Sequence, residues 1–83
     1  MRILKHFLNG WIYSLQDYHD YELIEWRSDD IAQLRTPLGY EILLTDTGNG
    51  IEFANITGSD EPVMYKYYEF NKFVKDMNKA GLA

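Results

Sequence analysis

Few residues in this chain are of types that could do chemistry, and the spacing limits each group. Asp17, His19 and Asp20, with His6 earlier in the chain, are proper ligand types for zinc or manganese. Nothing in their spacing gathers them on one helix face or hairpin, so a polar connector is expected there and no metal. Asp46-Thr47-Gly48-Asn49-Gly50 starts like a calcium loop, but glycine holds its third and fifth positions, where oxygen-bearing side chains are needed. A hairpin turn is the reading that fits. The carboxylate pairs Glu22/Glu25 and Asp29/Asp30 would serve acid–base chemistry only inside a cleft that held the two members in different environments. On a short strand Glu22 and Glu25 are expected on opposite faces, and Asp29-Asp30 has the composition of a turn.

Nucleophilic catalysis has no better footing. Ser14, Ser28, Ser59 and the two histidines form no elbow motif or relay, and no glycine-rich loop precedes a helix as a phosphate cradle would. The chain has no cysteine, which excludes disulfides, cysteine-ligated zinc and thiol chemistry. Asn55-Ile56-Thr57 spells a glycosylation acceptor, which is expected to be fortuitous because no secretion signal is read. The expectation is a non-enzymatic protein without a cofactor.

What remains is an excess of tyrosine beside acid. Tyr18 and Tyr21 lie among Asp17, Asp20, Glu22 and Glu25, and Asp29 and Asp30 follow closely. Tyr65 and Tyr68 are expected on the flanks of a C-terminal helix, near Asp60, Glu61 and Glu69. Tyrosine gives a large contact area at low entropic cost and is enriched in binding surfaces. These ten residues, Asp17, Tyr18, Asp20, Tyr21, Glu22, Glu25, Asp29, Asp30, Tyr65 and Tyr68, are the candidate partner-binding set. The competing reading is that the rings are buried and only the hydroxyls stay wet.

Charge sharpens this. The net charge of the 83 residues is −5. Residues 1–16 and 62–83 each carry +2, whereas residues 17–61 carry eleven acids against Arg27 and Arg35. Such a middle repels a phosphate backbone and attracts a basic protein surface. No direct nucleic-acid partner and no membrane are expected: no run approaches the ~20 apolar residues of a span. Arg2 and Lys5 precede no uninterrupted apolar signal core, and the expected compartment is the cytosol.

The elements that must position these residues follow from periodicity. Apolar residues at Ile3, Leu4, Phe7, Leu8, Trp11, Ile12 and Leu15 predict a helix over 2–17. Within it Gly10 either weakens the helix or marks close packing. Tyr21–Arg27 predicts a strand, with Ile24 and Trp26 on one face and Tyr21 and Leu23 on the other. Ile31–Thr36 reads as a strand in preference to a short helix. Tyr40–Thr45 and Ile51–Ile56 flank the Gly-Asn-Gly turn as a hairpin whose inward face is Tyr40, Ile42, Leu44, Ile51 and Phe53. Two registers fit, pairing Leu44 with Phe53 or with Asn55. Residues 61–80 read as one helix capped by Ser59 or Asp60, with Val63, Tyr67, Phe70, Val74 and Met77 inward and Gly81 ending it. The alternative makes Val63–Tyr67 an edge strand, with the helix starting near Tyr68.

The chain therefore predicts one α+β domain over residues 1–83: a small antiparallel four-stranded meander flanked by N- and C-terminal helices, α-β-β-β-β-α. The expected function is a protein-binding module, an inhibitor that docks its acidic, tyrosine-rich face on the basic surface of a nucleic-acid-binding protein. In its sharpest form carboxylates stand in for phosphates, the style of compact phage antagonists such as anti-CRISPR proteins, a likeness of size and charge alone. The alternative is a homo-oligomeric structural or accessory protein that uses a sheet edge or helix face.

Overall fold

Period-two alternation builds an antiparallel sheet with one apolar side, and both helices lie against that side. A computed structural model describes residues 3–56 and 61–83, residues 3–6 by backbone alone. Helix α1 (Ile3–His19) leads into strands β1 (Glu22–Ser28), β2 (Ile31–Arg35), β3 (Glu41–Asp46), β4 (Ile51–Asn55) and β5 (Val63–Tyr65), and helix α2 (Phe70–Lys79) follows. The spatial order is β1-β2-β3-β4-β5, an uninterrupted meander. The α+β class and the flanking helices are as expected. The sheet has five strands in place of four.

The extra strand corrects the reading of the C-terminal segment. Val63–Tyr65 pairs with β4, Phe53 facing Val63 and Ile51 facing Tyr65. Over so short a stretch a period of two (Val63, Tyr65, Tyr67) and a helical step (Val63, Tyr67) select overlapping residues, so periodicity cannot separate them. Pro62, read as a first-turn residue, equally suits the start of an edge strand, which needs no N–H there. The expected caps Ser59 and Asp60 lie outside the described residues. The observed cap of α2 is Glu69, whose Oε1 accepts the Lys66 N–H at 2.8 Å. Because the helix starts late, its buried residues are Phe73 and Met77, and Val63 is exposed. Gly81, at φ 76°, closes it as expected, with the Leu82 N–H returning to the Met77 carbonyl at 3.0 Å.

The β3–β4 hairpin takes the first of the two registers, Leu44 facing Phe53 and Asp46 facing Ile51. Thr47–Gly50 form the loop, where Asp46 Oδ1 accepts the Gly48 N–H at 3.0 Å and Thr47 Oγ1 accepts the Asn49 N–H at 3.3 Å. These side-chain oxygens thus bind the turn's own amides. Ile42, Leu44, Ile51 and Phe53 are buried as expected, whereas Tyr40 precedes the strand and is exposed. Ile31–Arg35 is a strand, as preferred.

Strand β1 departs from simple alternation. Register shifts fall between Leu23 and Glu25 and between Trp26 and Ser28. The first removes Ile24 from the pairing, so Glu22 faces Arg35 and Glu25 faces Gln33, two residues apart on one side. Glu22 and Glu25 therefore share the sheet's outer face, against expectation. Leu23, opposite Leu34, and Trp26, opposite Ala32, turn toward the helices.

The core between the layers contains Leu8, Trp11, Ile12 and Leu15 of α1, the inner residues of β2 to β5, and Phe73 and Met77 of α2. Phe73 contacts Trp11, Phe53 and Tyr65 at ring-centre distances of 5.4, 5.7 and 5.4 Å. Two glycine substitutions separate crowded from open backbone. A Cβ on Gly50 would collide with the Tyr65 carbonyl oxygen, so Gly50→Ala should force β5 off β4 and cost about 1–3 kcal/mol. A Cβ on Gly10 would meet nothing, so close packing is not its role, and Gly10→Ala should add about 0.5–1 kcal/mol. Urea unfolding midpoints of the two variants should move in opposite directions.

Candidate partner-binding surface

Helix α1 delivers the first part of the candidate set. Its exposed face carries Tyr13, Asp17 and Tyr18, with the Tyr18 side chain 76% exposed. Tyr13 hydrogen-bonds the Asp17 carboxylate, and that bond, with the nearby charge, raises the Tyr13 hydroxyl above its ordinary pKa. Asp20 ends the helix in the left-handed region (φ 61°), a conformation its short side chain tolerates, and the Tyr21 N–H reaches back to the Leu15 carbonyl at 3.0 Å. Carboxylates at a helix C-terminus add to the partial negative charge already there. Asp17 and Asp20 thus sharpen a negative end of α1 where helix stability alone would favour a cation.

Tyr68 lies in the turn before α2 and is 80% exposed. The His19 and Phe70 rings meet at 5.8 Å, so the end of α1 and the start of α2 adjoin. Asp17, Tyr18, Asp20 and Tyr68 accordingly belong to neighbouring elements, and all are exposed.

The other candidates are placed differently. Tyr21 is 5% exposed and Tyr65 3%, so both rings belong to the core and neither offers a face to a partner. The Tyr65 hydroxyl donates to Asp76 Oδ2 at 2.8 Å, and Lys72 Nζ lies 3.5 Å from the same oxygen and 5.1 Å from the Tyr65 ring centre. The Tyr65 hydrogen bond holds the Asp76 carboxyl below its usual range. Glu22 is exposed but bonded to Arg35 at 3.1 Å, and Arg35 also reaches Glu41 at 3.4 Å. Gln33 joins this outer-face chain, accepting from Arg27 Nε at 2.9 Å and donating to Glu41 at 2.7 Å. Glu25 is exposed on the same face. Asp29 and Asp30 stand at the β1–β2 turn, each with further interactions inside the protein. The acids of the middle segment are thus divided between the end of α1, the outer sheet face and the turns.

One polar arrangement escaped the sequence reading. Tyr67 donates its hydroxyl to Asp46 Oδ1 at 2.6 Å, stacks on Phe7 at 4.5 Å, and accepts the Trp11 Nε1–H on its carbonyl at 3.0 Å. Asp46 is buried and its Oδ2 has no hydrogen-bond partner among the described residues. No sequence pattern announces a pair 21 residues apart, one at the end of β3 and one in the turn before α2. Asp46 read only as the first residue of a hairpin turn.

Among the described residues no group of three histidines, aspartates or glutamates is placed to hold a metal ion, and no helix is long and apolar enough to cross a membrane. Compared with known protein families, with curated proteins and with solved structures, the chain matches none.

Burial pushes the Tyr21 hydroxyl up to about 12, and burial with the Asp46 hydrogen bond pushes Tyr67 up to about 12, from an ordinary value of 10.0. Between those values the unfolded chain has released protons that the native protein keeps. The stability that these two hydroxyls contribute is therefore fully present below pH 10 and is lost as pH rises toward about 12. Urea midpoints measured across this window should fall, and Tyr21→Phe should make the fall shallower.

Proposed function

We propose that this protein is a non-enzymatic binding module that docks the end of α1 and the adjoining turn, through Asp17, Tyr18, Asp20 and Tyr68, on a basic protein surface. The observation that carries the reading is the exposure of two whole tyrosine rings beside a helix C-terminus made more negative by two aspartates. A surface that normally grips nucleic acid has the complementary charge, so the module acts as an inhibitor by occupying it. The net charge of −5 and the small size support the narrower role of a phosphate-mimicking antagonist of the phage anti-defence style. The cysteine-free composition fits action in the reducing cytosol.

The outer-face carboxylates contribute less, because Arg35 already bridges Glu22 and Glu41. The test is capture of partners from bacterial lysate on the immobilised protein, washed at low and high salt, beside a Tyr18→Ala/Tyr68→Ala variant and an Asp17→Asn/Asp20→Asn variant. Asparagine is chosen at position 20 because it keeps the left-handed backbone available. A basic nucleic-acid-handling protein should be retained by the native chain, be released by salt, and bind each variant about 10–100-fold more weakly. Equal retention by both variants would reject this surface.

A further inference from the structure

The two edges of the sheet are unlike. β1 carries two register shifts, which interrupt any regular pairing along its outer side. β5 is regular, pairs among the described residues only with β4, and leaves Val63 43% and Met64 50% exposed. Beside β5, on the helix side, runs a groove of about 280 Å³. Val63 and Tyr65 form one wall, Met77, Ala80 and Leu82 the other, and Phe53 the floor. Its charged lining is Glu61 and Asp76, two carboxylates and no base. A small-molecule site usually offers roughly 300–1,000 Å³, so this groove is sized for one or two amino-acid side chains.

We propose that β5 and this groove bind an extended peptide of alternating apolar and basic residues as a sixth strand. Main-chain hydrogen bonds to the open edge of β5 give the affinity. Side chains at every second position turn into the groove, where an apolar one fills it and a basic one at its mouth meets Glu61, Asp76 being already bonded to Tyr65 and Lys72. A second copy of the chain is the poorer occupant. Pairing β5 with its own copy would bring the helices bearing Lys72, Lys75 and Lys79 toward each other, like charge against like. The site is separate from the Tyr18–Tyr68 surface, and either can fail without the other.

The experiment uses an end-blocked peptide alternating valine and lysine, with its valine–glutamate counterpart, titrated into isotope-labelled protein and followed by amide NMR. Expected are saturable shifts centred on Val63–Tyr65 and on Met77–Leu82, slowed hydrogen exchange in β5, and about tenfold weaker binding of the glutamate peptide. Ala80→Trp, at an exposed position on the groove wall, should fill the groove and weaken binding by about tenfold or more with the thermal midpoint retained. Glu61→Lys should reverse the preference between the two peptides. The Tyr18→Ala/Tyr68→Ala variant should bind the peptide as the native chain does. Shifts centred elsewhere, equal binding of both peptides, no binding, or a dimer in sedimentation with β5 amides protected would each overturn the proposal.

Discussion

The Phe73 ring is the contact on which the two layers depend. A ten-residue helix such as α2 is marginal in water by itself, and tertiary burial is what holds it. Phe73 supplies that burial by reaching Trp11 of α1, Phe53 of β4 and Tyr65 of β5 at once. Burying a ring of this kind contributes about 1.5–3 kcal/mol relative to exposure, a large part of the stability of a small domain. The polar contacts around it orient more than they stabilise. Tyr65 bonds Asp76 across β5 and α2, and Tyr67 joins the hairpin loop to α1 through Asp46 and the Trp11 indole.

Legibility tracks how many residues vote on one period. The β3–β4 hairpin declares itself because eleven strand residues alternate around glycines that can turn, and the inner face is the same in either register. Helix α1 is legible for the same reason, with Leu8, Trp11, Ile12 and Leu15 all buried. β5 has three residues, too few for two periods to be told apart. The bulge at Ile24 is invisible in composition, since it depends on how β1 fits against β2. Within the candidate surface, Asp17, Tyr18, Asp20 and Tyr68 are exposed as read. Tyr21 and Tyr65 are core residues because their ring area is worth more buried than wet, even though the Tyr21 hydroxyl finds no partner.

The outer face of the sheet shows how the molecule handles a side that no helix covers. Arg27, Gln33, Glu41, Arg35 and Glu22 are strung across β1, β2 and β3, so that each charge is met by a neighbour. These bonds satisfy the side chains that make them, while at the end of α1 carboxylate and helix dipole have the same sign.

The contact between Trp11 and the Phe70 and Phe73 rings also sets an order of events during synthesis. Chains emerge from the ribosome N-terminal end first. The apolar stripe of α1 therefore appears before its aromatic partner in α2. The hairpins between them close over short separations and can form as they emerge. Until Phe73 leaves the exit tunnel, Trp11 lacks its cover. During that interval the nascent chain presents an apolar helix face without the aromatic cover that α2 later gives it.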